Sequence, residues 1–479
     1  MYKKIYIPII FGLLVTLFSI FNMNWIPTFT LDDAYIVQHS VHNILSFQGE
    51  TRFLDSAKNS GLTSPLHVVI VSIFSIFMGV EWGQFFVASL FYILFLVLVF
   101  LYSQKLNNNI IVSSLMVIIS GLSGFILLQT YNGLETIFVI AFLMLALYLS
   151  KYENAKFKYI IFGILPFIRP ELFIVSLFFL IIEISDLHKN KDVKSIKTNI
   201  IIFLITVLLL CLFEICMTGS IIPYTASAKK YFFADACGNN SIEKIKIILR
   251  SIDSFLDSLG WLYLSFLGVF LSKYRYLFII FVFVFYFSSY ENLVGAGYHN
   301  YFRYQYIFYP FIILGLIEII GKLKSDRVKF LILCLIFSSV LANLVDNVKK
   351  FEDSVKFTRT QNFSAMDWVY THVPSNAVIL IHDAGVISLQ GKNKLVDIVG
   401  LKTSSSIDVN KLTRWKKCGN DPTSISIIAD HYKAQYFVVL TEWDNVFKLT
   451  NSLKSQGWKV NRIDNERGET AYKVYSIQH

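Results

Sequence analysis

Apolar positions in this chain come in long runs broken by short polar stretches, up to about residue 347. Runs of this kind approach the roughly 20 residues that a helix needs to cross the hydrocarbon of a bilayer. They predict spans near 5–23, 84–103, 110–128, 134–150, 198–218, 255–272, 276–291, 306–321 and 328–346, with 159–185 as two short helices turning at "IRPE". The run 66–79 is short for a span and reads as interfacial or re-entrant. The pattern gives about eleven membrane helices, a polytopic α-helical protein.

Beyond residue 347 the apolar runs shorten to strand length and alternate with amphipathic stretches. "FSAMDWVYTHV" and "SISIIADHYKAQ" read as helices, and "NAVILIHD", "KLVDIVGL" and "YFVVLT" as strands. The chain therefore divides into a membrane part, 1–347, and a C-terminal α/β domain, 348–479, with no Gly/Ser linker between them.

Composition supports this division. The chain is 55% apolar and only 16% charged over 479 residues, whereas soluble domains carry about 25% charge. The first run follows the basic start "MYKK" and is trailed by "FNMNWIPTF", which offers no small-x-small cleavage site, so it reads as a retained anchor.

The net charge of +10 comes largely from Lys and Arg clusters between apolar runs, which argues for topology rather than nucleic-acid binding. Lys3 and Lys4, 151–158, 188–197, 273–275 and 322–329 fall on the cytoplasmic side under the positive-inside rule. Loop 24–83, the tips near 129–133 and 169–171, the segments 219–254 and 292–305, and everything after 347 then face outward. Segment 219–254 breaks the rule with Lys229, Lys230, Lys244, Lys246 and Arg250, a composition suited to anionic lipid or phosphate. Cys237 and Cys418 both fall outside, and the spacing leaves their pairing open. No C-x-x-C or H-E-x-x-H spacing supports a metal site.

The candidate chemistry lies where polar groups interrupt the apolar pattern. "TLDDAYIVQHS" puts Asp32 and Asp33 just past the first span; on a helix starting there, Asp32, Tyr35 and His39 share a face with Asp33 beside them. One Asp would cap the helix, and a second adjacent carboxylate adds repulsion that capping does not explain. Glu135 stands at a helix end, and Arg169 and Glu171 stand at a hairpin tip, where pairing with each other is the plain alternative to function. "GYHNYFRYQYIFYP" supplies His299, Arg303 and Tyr304. An aromatic belt accounts for its tyrosines; a guanidinium there suits bidentate binding of phosphate.

The series "LDDAYI", "GLTSPL", "GLET", "RPEL", "PYTASAK" and "FRYQY" resembles the polytopic GT-C glycosyltransferases that use polyprenyl-phosphate sugars. The stretch 368–401 is similar to the start of the outward-facing C-terminal domain of a bacterial subgroup that includes arabinofuranosyl- and surface-polysaccharide transferases. His67, where an aromatic is usual, and Leu172, where Gly is frequent, depart from the pattern.

The resemblance implies inverting transfer of a sugar from a polyprenyl-phosphate donor to a glycan such as lipopolysaccharide O-antigen, on the outer face of a bacterial plasma membrane. It assigns the acidic pair to the centre of the reaction, with Asp32 as general base and Asp33 orienting. Arg169, Lys229 and Arg303 are expected to hold phosphate. Tyr35, His39, Glu171, His299 and Tyr304 are further substrate-binding candidates, Glu135 stands behind them, and segment 66–79 is expected to wall the lipid's cleft. No cofactor is assigned, though the acidic pair leaves room for a divalent cation. Donor, acceptor and membrane lipids are the expected partners. The competing class is a transporter or flippase for a lipid-linked sugar, which predicts inverted repeats that the sequence lacks.

Overall fold

The computed structural model describes residues 4–152, 156–189, 193–468 and 470–479. Lys3 and parts of the basic stretches 151–158 and 188–197 lie outside the described residues.

Helices occupy the predicted runs: Tyr6–Asn22, Val80–Asn107, Ile110–Leu122, Thr136–Leu149, Phe157–Ile168, Leu172–Lys189, Val193–Thr218, Arg275–Asn292, Tyr309–Lys322 and Asp326–Phe357. Among the described residues four helices are long and apolar enough to cross a membrane, and five if one bent pair counts as a single span. Leu204, Leu208, Leu209 and Leu212 on one of them are exposed, as are Leu13, Leu14 and Leu17 on the first helix. Large apolar side chains on the outside of a bundle suit hydrocarbon, and with the apolar helices they mark a multi-pass membrane protein.

The expected span 255–272 takes a different form. Ser241–Ser258 is one helix, Gly260–Leu271 continues as a 3-10 helix, and the two meet at 108°. The corner needs Gly260: its φ is +55°, and a Cβ there would stand 2.3 Å from Ser339 Oγ. Ser339 Oγ also accepts the Trp261 N–H at 2.9 Å. The first arm exposes Ile242, Ile245 and Leu249 and carries Lys244, Lys246 and Arg250. That pattern suits a helix lying along a membrane surface, where cations meet anionic lipid, one of the two uses the sequence suggested for them.

A continuous helix, Asp326–His372, runs from the bundle into the tail, so the expected division near 347 falls inside a helix. The tail holds a five-stranded sheet of β1 (Val378–Ile381), β2 (Lys394–Asp397), β3 (Tyr436–Leu440), β4 (Lys459–Arg462) and β5 (Tyr472–Gln478), in the order β2-β1-β3-β5-β4. β1 pairs in parallel with β2 and β3, and β5 pairs antiparallel with β3 and β4. Helices Ser364–His372 and Thr423–His431 occupy the two predicted helical stretches.

The loop after the first span is joined to this sheet. Phe53 bridges Leu395 in parallel, and the Leu395 N–H donates to Arg52 O at 2.9 Å. Ile36, Phe53, Ala228 and Phe232 from the membrane part enter the tail's own hydrophobic core. Burying a side chain such as Phe232 contributes about 1.5–3 kcal/mol, so packing as well as hydrogen bonding holds the tail to the bundle.

Candidate active site

Helix Asp33–Leu45 begins immediately after Asp32, whose side chain makes no capping bond. Its carboxylate turns to the tail instead, accepting from Gly385 N–H at 2.7 Å, Val386 N–H at 2.9 Å and Asn362 Nδ2 at 3.1 Å. Gly385 is required there, because a Cβ would lie 1.9 Å from Asp32 O. Burial and then the nearby charge of Asp383 push the Asp32 carboxyl up to about 7, against the lowering effect of those hydrogen bonds. Asp383 is in turn held by Tyr472 OH and by His382 Nδ1, the latter at 2.9 Å.

Asp33, about 100° further round the helix, faces the bundle. Its Oδ2 lies 3.4 Å from Arg303 Nη1 and 3.7 Å from Lys229 Nζ. Burial raises its carboxyl, but the charges of Lys229 and Arg303 outweigh that and hold it below the usual carboxylate range. Arg303 uses the other arm of its fork for Glu135, 3.0 Å from Nη2. Arg169 Nε approaches the same Glu135 oxygen at 3.9 Å, and Arg169 also pairs with Glu171.

Local backbone explains these positions. Gln84 Nε2 donates to Ala34 O and Gly133 O, tying the start of the Asp33 helix to the loop that ends at Glu135. Gly133 has φ +74°, and a Cβ there would be 2.3 Å from Ala34 Cβ. Arg169 ends its helix in an extended conformation, as a residue before proline does. Arg303 follows three residues in the left-handed region, Asn300, Tyr301 and Phe302, at φ +48°, +55° and +64°. Gln129 Nε2 secures that turn by donating to Asn300 O at 3.0 Å and Tyr301 O at 2.8 Å.

Tyr304 is the shared wall of the cations. Lys229 Nζ donates to its hydroxyl at 3.2 Å, and Arg169 stands over its ring, 4.9 Å from the centroid. Burial raises the Tyr304 hydroxyl, but Lys229, Arg303 and Arg169 together bring it below its ordinary range. His299 stacks on the same ring at 5.7 Å, and burial followed by the charge of Lys229 lowers its imidazole to about 3, so it stands neutral.

Two spaces meet here. A polar pocket of about 30 Å³ is lined by Asp33, Thr63, His67, Glu135, Lys229 and Arg303, among others. A larger cleft of about 450 Å³ is walled mainly by apolar side chains from three segments, including Phe173, Ile222, Phe281 and Phe285, with Arg169, Lys229 and Tyr304 at its polar end. Thr63, Thr225 and Lys229 belong to both. Segment 66–79, expected to wall the lipid's cleft, does not line it; the helix Pro65–Met78 puts His67 and Val68 into the polar pocket instead.

The structure thus brings Asp33, Glu135, Arg169, Glu171, Lys229, His299, Arg303 and Tyr304 together, and turns Asp32, Tyr35 and His39 elsewhere. The Tyr35 hydroxyl accepts the Phe29 N–H at 3.1 Å, and its ring meets Phe363. His39 Nε2 is 3.0 Å from Glu50, whose carboxylate also lies 3.5 Å from Lys402 of the tail. Sequence reasoning missed Thr63, Asn362, Asp383, Gly385 and Lys402. Among the described residues no group of three His, Cys, Asp or Glu side chains could hold a metal, and Asp33 stands between two cations, the reverse of a metal-ligand environment.

Lys229 lies on helix Tyr224–Phe233, which the tail grips. Arg414 Nε donates to Phe232 O at 2.8 Å, and a disulfide joins Cys237 to Cys418 across 181 residues, answering the pairing that the sequence left open.

ArnT from Cupriavidus metallidurans bound to undecaprenyl phosphate is similar to this chain with a TM-score of 0.53 and 9% identity, covering 98% of this chain and 97% of ArnT. The apo state of ArnT gives a TM-score of 0.51 at 9% identity over the same shares. The oligosaccharyltransferase of Archaeoglobus fulgidus, in complex with Zn and sulfate, gives 0.56 and 11% identity, covering 90% of this chain and 68% of that one. The chain has the GT-C fold, with a small sheet in its C-terminal part. A family model described as a domain of unknown function, DUF8728, matches residues 352–475. No curated protein matches the sequence.

Proposed function

We propose that the protein is a membrane glycosyltransferase that moves a hexosyl or pentosyl group from a polyprenyl-phosphate donor to a surface glycan, lipopolysaccharide O-antigen or a similar polymer, at the outer face of a bacterial plasma membrane. The observation that carries this reading is the junction of the two spaces at Lys229: an apolar cleft suited to isoprene units ends in cations, directly beside a buried polar pocket that holds Asp33 and Glu135. The GT-C fold, shared with an ArnT whose structure holds undecaprenyl phosphate, supports the same donor class.

In this reading the lipid tail lies along Phe173, Ile222 and Phe285, and the phosphate meets Arg169, Lys229 and Tyr304. The acceptor hydroxyl attacks the anomeric carbon from the side of Asp33. As the new C–O bond forms, Asp33 takes the hydroxyl proton, the bond from anomeric carbon to phosphate oxygen breaks, and the electron pair leaves on the phosphate, where the cations stabilise it. Asp33 replaces Asp32 as our choice of base, because only Asp33 faces the pocket, and Asp32 positions the helix by binding the tail. The pocket has room for about one or two waters as it stands, so a sugar fills it only when Lys229 or Arg303 moves toward the incoming phosphate.

The test is turnover. Purified protein in nanodiscs is supplied with polyprenyl-phosphate glucose or polyprenyl-phosphate arabinofuranose and a surface-polysaccharide extract, and release of polyprenyl phosphate is followed. Acceptor-dependent release that Asp33→Asn abolishes supports the reading. Protein-mediated flipping of either lipid in sealed liposomes, without release, would make it a transporter.

A further inference from the structure

A second pair of adjoining spaces lies away from the donor cleft, toward the tail-bearing end of the bundle. One is an apolar groove of about 290 Å³ between the first helix and the long helix Asp326–Phe357, lined by Leu14, Phe18, Leu128 and Leu344 among others. The other is a polar bowl of about 660 Å³, into which Asp257, Asn343 and Asp346 face together with Tyr298 and Tyr301. Phe125 and Asn347 form the boundary of both.

Asn347 is 9% exposed, and among the described residues its Nδ2 has no hydrogen-bond partner. A buried amide that donates to nothing is costly unless a ligand or water meets it. The composition of the bowl says which kind of ligand. Carboxylates and amides beside tyrosine rings suit hydroxyls and sugar faces, and Lys350, 4.8 Å from the Phe125 ring centroid, is the one cation among the described residues that line the bowl. A polyphosphate head would meet net negative charge there, whereas a hydroxyl-rich head with at most one phosphate is matched.

We propose that these two spaces bind a second amphiphile, a lipid-anchored glycan, with its hydrocarbon in the groove and its sugars in the bowl. The loop that walls the bowl is the strained turn of Asn300, Tyr301 and Phe302, and the next residue, Arg303, bonds Asp33 and Glu135. The same turn therefore touches both sites. That the bound glycan is the acceptor rests on the transferase reading, and the binding itself does not.

Dodecyl maltoside serves as the probe, added to the full-length protein in a polyoxyethylene micelle and counted as adducts by native mass spectrometry. Dodecylphosphocholine, free maltose and undecaprenyl phosphate are the comparisons. Saturable dodecyl maltoside binding is expected, at least 10-fold tighter than that of the choline amphiphile or free maltose, and not displaced by undecaprenyl phosphate. Asn343→Ala with Asp346→Ala should weaken it at least 10-fold, with undecaprenyl phosphate binding and melting temperature unchanged; Lys229→Gln should leave it intact. Equal binding of the choline amphiphile would mean an ordinary lipid groove and overturn the proposal, as would displacement by undecaprenyl phosphate or unchanged binding in the double variant. Loss of transferase activity in every assay, with this binding preserved, would fail the function and leave the site standing.

Discussion

Asp32 and Gly385 are 353 residues apart in sequence and joined by a 2.7 Å hydrogen bond from the glycine N–H to the aspartate carboxylate. The glycine has no room for a side chain, since a Cβ would fall 1.9 Å from Asp32 O. Gly385→Ala should therefore push the tail away from the acidic pair, at a cost of about 1–3 kcal/mol from overpacking. The expected signs are faster proteolysis after residue 373 and a large fall in transfer. Unchanged proteolysis with full activity would show that the contact is incidental.

Asp33→Asn keeps the size of the side chain and removes its ability to take a proton, so transfer should fall roughly 100-fold or more, the scale of general-base catalysis. Asp32→Asn should act differently. It places an amide NH₂ against two backbone N–H donors, so docking of the tail weakens by about 1–3 kcal/mol, and activity per docked molecule is retained. Turnover of both purified variants at saturating donor ranks the two carboxylates, and the opposite order would restore Asp32 as the base.

Arg303 bridges Asp33 and Glu135 through separate nitrogens. A lysine presents one point charge and cannot span both. Arg303→Lys is expected to lower kcat by about 10-fold or more while the chain still folds. Lys229→Gln should act mainly on the donor, raising its KM about 10-fold, because Lys229 stands at the polar end of the apolar cleft. If neither variant changes kinetics with a polyprenyl-phosphate donor, the phosphate site lies elsewhere.

The hold of the tail on the bundle should weaken as pH rises. The Asp32 carboxyl stands at about 7 in the docked state, with Asp383 and Asp33 as its charged neighbours and Asn362 and two backbone amides as its donors, against an ordinary value of 3.8. Below that ordinary value both states carry the proton. Between there and about 7 only the docked state does, so docking loses stability across that window and is flat above it. Tail proteolysis measured between pH 5 and 8 should accelerate with pH, and Asp32→Asn should flatten the dependence. Acceleration toward acid would reverse the assignment.

Cys237 and Cys418 join residues 181 apart in sequence, just beyond the end of the helix Tyr224–Phe233 that carries Lys229. Replacing both by serine should lower the unfolding free energy by about 2–4 kcal/mol and raise the donor KM through the loosened helix. An unchanged melting temperature would show that Arg414 and the buried Phe232 suffice.

The sequence made the bundle legible because runs of apolar residues have one physical use at that length, and most predicted spans coincide with observed helices. The corner at Gly260 was hidden, since its cause is Ser339 on another helix. Three strands of the tail were readable as short apolar runs, buried almost throughout, but β4, a polar edge strand, and β5, whose buried positions are interrupted by polar ones, gave no such run. The charged residues of the site could be picked out because charge is rare near lipid. Which side chains of the Asp33 helix meet them could not: Asp32 binds the tail, Tyr35 accepts the Phe29 N–H and His39 meets Glu50, while Asp33 and Val37 line the pocket. Backbone donors such as Gly385 N–H carry no sequence mark at all.

The helix Asp326–His372, α-helical except for a π-helical turn at Thr358–Phe363, fixes more than the attachment of the sheet. Each residue of an α-helix turns the chain by about 100° and lifts it about 1.5 Å, so the rotational phase of the tail depends on the number of residues between Lys329 in the bundle and Phe357, where the π-helical turn leading to Asn362 at Asp32 begins. A one-residue insertion near Leu344 would swing Gly385 away from its carboxylate. An insertion of seven residues would nearly restore the heading but lift the sheet by about 10 Å. The length of this one helix is thus constrained as a shaft key is, by angle and by height together, and a chimera that exchanges tails between related chains has to preserve its residue count.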